Sequence, residues 1–235
     1  MTKKATTNKN SIKKKPDTIF IDFDGVISKN SILYNFKSAY QFINQYISIP
    51  YDTVYSLLKS TTAFSMKNTL DFLLASFGIT DISRKQQGQL IKNLYKNNIE
   101  VKIEDGFFDF IDFCEDNSIN YFIFSSAGLS IKGIPELVNR ISNNCIYNLN
   151  GRSKVNPKTY QEAANELGLD LKKCLFIDDT PLALQIGKIQ GMITVMMLND
   201  VFTLEDYQIY SSFIDFKINS FTELGVIFND VFFRK

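Results

Sequence analysis

Four short runs of nearly unbroken apolar residues constrain the fold of this chain more than any other feature. They are "TIFIDF" (18–23), "NYFIFSS" (120–126), "KCLFIDD" (173–179) and "MITVMML" (192–198). A strand with one face in water alternates apolar and polar side chains. These runs do not, so they need cover on both faces, which is the condition of parallel strands in a layered sheet. Helical segments with start and stop signals lie between them. "NPKTYQEAANELG" puts Pro157 near a helix start and Gly168 at its end, and "DTPLALQIGKIQG" offers Thr180 as N-cap, Pro181 at the first position and Gly191 as C-cap. This alternation predicts an α/β fold, a doubly wound parallel sheet with helices on both faces.

One region breaks the rhythm. From about Asn30 to Val101 no strand is expected, but apolar residues recur at three- and four-residue spacing over 31–47, 51–60, 66–77 and 83–97. The chain re-enters the sheet through "EDGFFDFIDFCEDNSIN", a helix with Phe107, Phe110, Ile111 and Cys114 on one side. Near the C-terminus "SSFIDFKINSFTEL" reads as a short strand followed by a helix start, and "GVIFNDVFFRK" as a final apolar segment docked on the core. The expected organisation is therefore a basic tail over 1–16, a sheet core over 17–29 and 102–235, and a helical insert over 30–101. The 45% hydrophobic content of the 235 residues suffices for such a core with an insert.

The formal net charge of +1 hides an asymmetry. Six of the 26 basic residues are lysines in the first 15 positions, where there is no acid, so the remainder is acidic. A tail so poor in apolar side chains cannot offset the entropy of ordering and is expected to be disordered, a solubilising leader. Contact with nucleic acid or anionic lipid is its alternative reading, although a nucleic-acid partner is not expected for the chain as a whole. No apolar run suits a secretory signal or a membrane span. Cys114, Cys145 and Cys174 are odd in number and scattered, as reduced core thiols of a cytoplasmic protein would be. The chain has no histidine, which excludes imidazole bases and His-ligated metals.

Functional loops of an open parallel sheet lie at the carboxyl ends of its strands. Those ends carry Asp22 and Asp24, then Ser125 and Ser126, then Asp178 and Asp179, and Lys154, before the helix starting near Pro157, can join them. Two carboxylates ~4 Å apart repel by about 4 kcal/mol at an effective dielectric near 20, so four converging on one lysine call for a further cation. Oxygen ligands without sulfur or imidazole favour a hard ion, and Mg²⁺ is the expected one because it keeps waters and bridges to phosphate.

In order, "DFDG", "FIFSS", "KVNPKTYQEAANELG" and "LFIDDTP" resemble the four motifs of the haloacid dehalogenase-like (HAD) superfamily. The helical insert after the first motif resembles the branch of phosphoglycolate phosphatase-like and β-phosphoglucomutase-like enzymes, over about 17–224. The resemblance implies a Rossmann-like HAD core with a helical cap and a Mg²⁺-dependent phosphatase acting on a small phosphomonoester, of the sugar phosphate, phosphoglycolate or nucleotide type. It makes Asp22 the nucleophile that becomes an aspartyl-phosphate, Asp24 the general acid and base, and Ser125 and the Ser126 N–H phosphate-binding groups. Lys154 would neutralise phosphoryl charge, and Asp22, Asp178, Asp179 and the Asp24 backbone carbonyl would hold Mg²⁺. The family's dehalogenases lack an acid at the place of Asp24, which favours phosphoryl transfer. The chain departs from the family in having Lys154-Val155 where Lys-Pro is usual, and Lys158 lies one helical turn too late to replace Lys154. A phosphomutase, or a non-catalytic binding or regulatory protein on the same fold, is the alternative.

Overall fold

A computed structural model of the chain describes residues 14–89, 102–126, 131 and 134–233. β1 (Thr18–Ile21), β2 (Asn120–Ser125), β3 (Ile146–Asn148), β4 (Cys174–Asp178), β5 (Ile193–Met197) and β6 (Phe216–Ile218) form one parallel sheet in the order β3-β2-β1-β4-β5-β6. The four apolar runs are four of these strands, and the expected C-terminal strand is β6. The edge strand β3 was not expected. It is three residues long within "NNCIYNLN", too short and too polar in its surroundings to show as an apolar run.

The helices are α1 (Lys29–Ile43), α2 (Tyr51–Thr61), α3 (Met66–Ser76), α4 (Phe107–Asp116), α5 (Pro135–Arg140), α6 (Pro157–Leu167), α7 (Pro181–Ile189), α8 (Leu204–Tyr210) and α9 (Phe221–Ile227), with residues 84–89 also helical. The rest of the helix expected over 83–97, and residues 1–13 of the basic tail, lie outside the described residues. At the end of that tail, Lys15 Nζ donates to the Asn117 carbonyl at 2.7 Å and Pro16 is buried. α6 begins at Pro157 and ends at Gly168 as its sequence signals. α7 begins at Pro181 after Thr180 as expected, but its C-cap is Gln190, one residue before Gly191.

Alternate residues of each strand face opposite layers, as the pleat requires. Phe20, Phe124, Phe176 and Met196 pack with Tyr160, Ala163 and Leu184 of α6 and α7 on one side. Ile19, Ile21, Ile123, Ile177 and Val195 pack with Phe107, Phe110, Phe221 and Leu224 of α4 and α9 on the other. The first layer extends without a break into the inserted helices, where Ile32, Phe36, Ala39 and Ile43 line one face of α1 and meet Val54 and Leu58 of α2. The strand order reverses beside β1, so the crevice at the carboxyl ends of β1 and β4 is the natural binding place. No described helix is long and apolar enough to cross a membrane.

Phe124 stands at the centre of a cluster of rings in the first layer. Its ring lies 4.9 Å from Phe20, 5.6 Å from Tyr147, 5.5 Å from Tyr160 and 6.0 Å from Phe176. Phe124→Ala should cost about 3–5 kcal/mol, because the surrounding rings cannot collapse into the space it leaves. Urea unfolding would show this as a lower midpoint at unchanged slope.

Candidate active site

Strand register puts the first two acids side by side. Ile21 pairs with Ile177, and the Asp22 N–H continues the ladder to the Ile177 carbonyl at 2.9 Å, so Asp22 stands level with Asp178. By the pleat both share the face of Phe20 and Phe176. Lys154 reaches them from the loop before α6. Its Nζ is 2.6 Å from Asp22 Oδ1 and 2.7 Å from Asp178 Oδ2, and it sits 5.7 Å above the centre of the Phe176 ring. All three side chains are buried.

Local turns fix the remaining groups. Asp22 Oδ1 also accepts the Phe23 N–H at 2.7 Å, and Asp178 Oδ1 accepts the Thr180 N–H at 2.8 Å. Thr180 is thus the N-cap of α7 by position, but its hydroxyl is given to Asp179 Oδ1 at 3.0 Å. Gly25 turns with φ +80°, and a Cβ there would lie 1.9 Å from Asp179 Oδ2, so only glycine fits. Asp24 is half-buried and its carboxylate faces α1, where Asn35 Nδ2 is 3.5 Å away.

The sequence-predicted residues therefore converge, with one division among them. Carboxylate oxygens of Asp22, Asp178 and Asp179 lie within 4.8 Å of one another, and the Asp24 carboxylate stands apart from this trio. A cavity of about 110 Å³ opens above it, lined among others by Asp22, Asp24, Ser125, Ser126, Lys154 and Asp179, with the inserted helices as its other wall. That wall touches the core directly: the Ala63 carbonyl, in the turn between α2 and α3, accepts the Lys154 N–H and the Ser153 hydroxyl, both at 2.9 Å.

The electrostatics of the trio are unbalanced. Burial, opposed by Lys154 and reinforced by Asp178, raises the Asp22 carboxyl to about 8. Burial, with Asp178 and Asp22, also raises Asp179 far above the usual carboxylate range. Burial raises Asp24 as well, against hydrogen bonds from Ser31 and Asn35. Against its own desolvation, Lys154 is held above its ordinary value by Asp178 and Asp22. One ammonium does not neutralise three carboxylates, and an all-oxygen cluster of this size suits a hard divalent cation.

Asn199, after β5, is a site residue that the sequence did not reveal. Its Oδ1 accepts the N–H groups of Val201 and Phe202 at 2.9 and 2.8 Å, which fixes the orientation of the amide. Nδ2 then donates to the Gly25 carbonyl at 2.9 Å and to Asp179 Oδ2 at 2.7 Å, tying the loops after β1 and β4 together. An asparagine in "LND" carries no motif, and only the third dimension brings it to the acids.

No family model and no curated protein matches the chain. Its fold does match solved structures. A hydrolase from Pseudomonas syringae is 14% identical with a TM-score of 0.75, over 93% of this chain and 100% of that one. The β-phosphoglucomutase of Clostridium difficile is 18% identical with a TM-score of 0.64, over 93% and 100%. A HAD family hydrolase from Deinococcus radiodurans, solved with bound phosphate and sodium, is 16% identical with a TM-score of 0.62, over 94% and 97%. The chain thus has the α/β fold of the haloacid dehalogenase-like proteins along most of its length.

If Asn199 holds the two loops as its bonds indicate, Asn199→Leu leaves a buried carboxylate oxygen and a carbonyl without donors. Chemical denaturation should then read a loss of roughly 1–3 kcal/mol.

Proposed function

We propose that the chain is a Mg²⁺-dependent phosphatase that hydrolyses a small phosphomonoester through an aspartyl-phosphate on Asp22. The observation that carries this reading is the trio of Asp22, Asp178 and Asp179 around Lys154 at the strand ends, facing a cavity with Asp24 and two serine hydroxyls at its edge. The fold shared with hydrolases and a phosphomutase supports it.

In the first step an Asp22 carboxylate oxygen bonds to phosphorus and the ester P–O bond breaks, while Asp24 gives its proton to the departing alkoxide. In the second, water attacks the phosphorus of phospho-Asp22, Asp24 takes the water's proton, and the acyl-phosphate P–O bond breaks to return Asp22 and inorganic phosphate. Ser125 and the Ser126 N–H hold phosphoryl oxygens, and Lys154 neutralises charge on them. Asp22, Asp178, Asp179 and the Asp24 backbone carbonyl are the groups that would hold the metal; both oxygens of Asp178 accept hydrogen bonds, from Lys154 and Thr180, and so do both of Asp179, from Thr180 and Asn199. When bound there, Mg²⁺ supplies Lewis-acid neutralisation of the phosphoryl oxygens. Residues 30–101 act as a cap over the core of 17–29 and 102–235, and the Ala63 contacts with Ser153 and Lys154 are those of its closed position.

A panel of phosphate esters assayed with Mg²⁺ and then with EDTA tests this. Turnover should require the metal, Asp22→Asn should lower kcat more than about a hundredfold with unchanged circular dichroism, and Asp24→Asn should cost about 10²–10⁴-fold. No turnover of any ester, with the metal shown to bind, would favour a binding or regulatory protein instead.

A further inference from the structure

We infer that the site selects a phosphomonoester whose leaving group is small, uncharged and largely apolar, and that it rejects a second phosphate or a carboxylate on the substrate. This rests on the phosphatase reading and concerns the wall of the cavity opposite the acids. That wall is built by the inserted helices from Ile32 and Phe36 of α1, Leu58 of α2, Phe64 in the following turn and Met66 of α3. Its polar groups are the neutral Asn35, Thr62 and Thr69.

Charge on the lining decides what the leaving group can carry. Among the described residues that line the cavity, the basic ones are Lys154 and Arg152. Lys154 lies between Asp22 and Asp178. Arg152 is turned to its own neighbours: Nε donates to the Leu149 carbonyl at 2.9 Å, one guanidinium nitrogen lies 3.0 Å from Glu162 and 3.5 Å from Glu166, and the other donates to Tyr147 Oη at 2.9 Å. The N-terminus of α3 reaches the wall at Met66, and the Ser65 side chain caps it by accepting the Asn68 N–H. Among the described residues, a second anionic group on that wall would therefore lose its water against apolar side chains, with the two lining cations already engaged by Asp22, Asp178, Glu162 and Glu166, which is strongly unfavourable.

Size points the same way. The cavity's 110 Å³ is below the roughly 150 Å³ of an apolar cavity that takes up benzene, so beside a phosphoryl group its apolar wall can cover a leaving group of only a few heavy atoms. A phosphomutase of the sugar phosphate type must hold a bisphosphorylated intermediate, with one phosphate at the acids and the other on the opposite wall. The wall, uncharged among the described residues, therefore selects hydrolysis over transfer within a sugar phosphate.

Steady-state kinetics on the full chain with Mg²⁺ test this, using propyl and isobutyl phosphate against 2-phosphoglycolate and fructose 1,6-bisphosphate. The expected kcat/KM is at least about tenfold higher for the alkyl phosphates, a difference well within what one desolvated, unpaired charge produces. Met66→Arg and Phe64→Arg, each adding a cation to the wall, should shift that ratio toward the two charged esters. Equal or faster turnover of the charged esters by the wild type, or an unchanged ratio in both variants, would overturn the inference and leave the phosphatase reading standing. Turnover of none of the four would overturn the inference, and would remove the phosphatase reading too if the wider panel of phosphate esters is also inert.

Discussion

The buried pairing of Lys154 with Asp22 and Asp178 is the interaction on which the other features depend. Three carboxylates lie within 4.8 Å of one another, with a single ammonium 2.6–2.7 Å from two of them. A buried ion pair seldom adds net stability, since desolvation of the charges offsets their attraction. Here one ammonium cannot support three ionised carboxylates, and Asp22 and Asp179 are held far above their ordinary range. Such an arrangement is a poor way to stabilise a core and a good way to hold a cation beside an anionic substrate.

The fold supplies what this cluster needs through few elements. In-register pairing of β1 with β4 places Asp22 beside Asp178. The loop before α6 brings Lys154 over Phe176, and buried Tyr160 secures that loop by donating to the Lys154 carbonyl at 3.1 Å. Gly25 lets the chain after β1 pass against Asp179, and Asn199 binds both. The inserted helices then close the space above, anchored by Ala63 on the lysine loop and by the Lys59–Asp206 ion pair at 2.9 Å.

Much of this was legible in the sequence, and the reasons are physical. Asp22, Asp178 and Ser125 could be located because strands covered on both faces show as apolar runs and parallel strands end on one side of a sheet, and Lys154 by its place just before a helix with clear start signals. The resemblance to haloacid dehalogenase-like motifs added roles to positions already marked. Beyond reach were features that depend on distant parts of the chain meeting. Asn199 acts through two loops remote in sequence, and β3 is defined by its partner β2 rather than by its own three residues. The resemblance already gave Asp24 a role apart from the other acids, but that its carboxylate turns to α1 and away from the trio was not readable along the chain. The apolar character of the insert was visible, but which of its faces met the core and which met the cavity was not.

The most direct test of a cation-requiring acid cluster is thermal unfolding of the wild-type chain and of Asp179→Asn, each with EDTA and with millimolar Mg²⁺. An ion that binds only the folded state stabilises it in proportion to RT ln(1 + [L]/Kd). The melting temperature of the wild type should rise with Mg²⁺, and that of Asp179→Asn should not. A wild-type melting temperature that is the same in EDTA and in Mg²⁺ would contradict the central role given to the cluster.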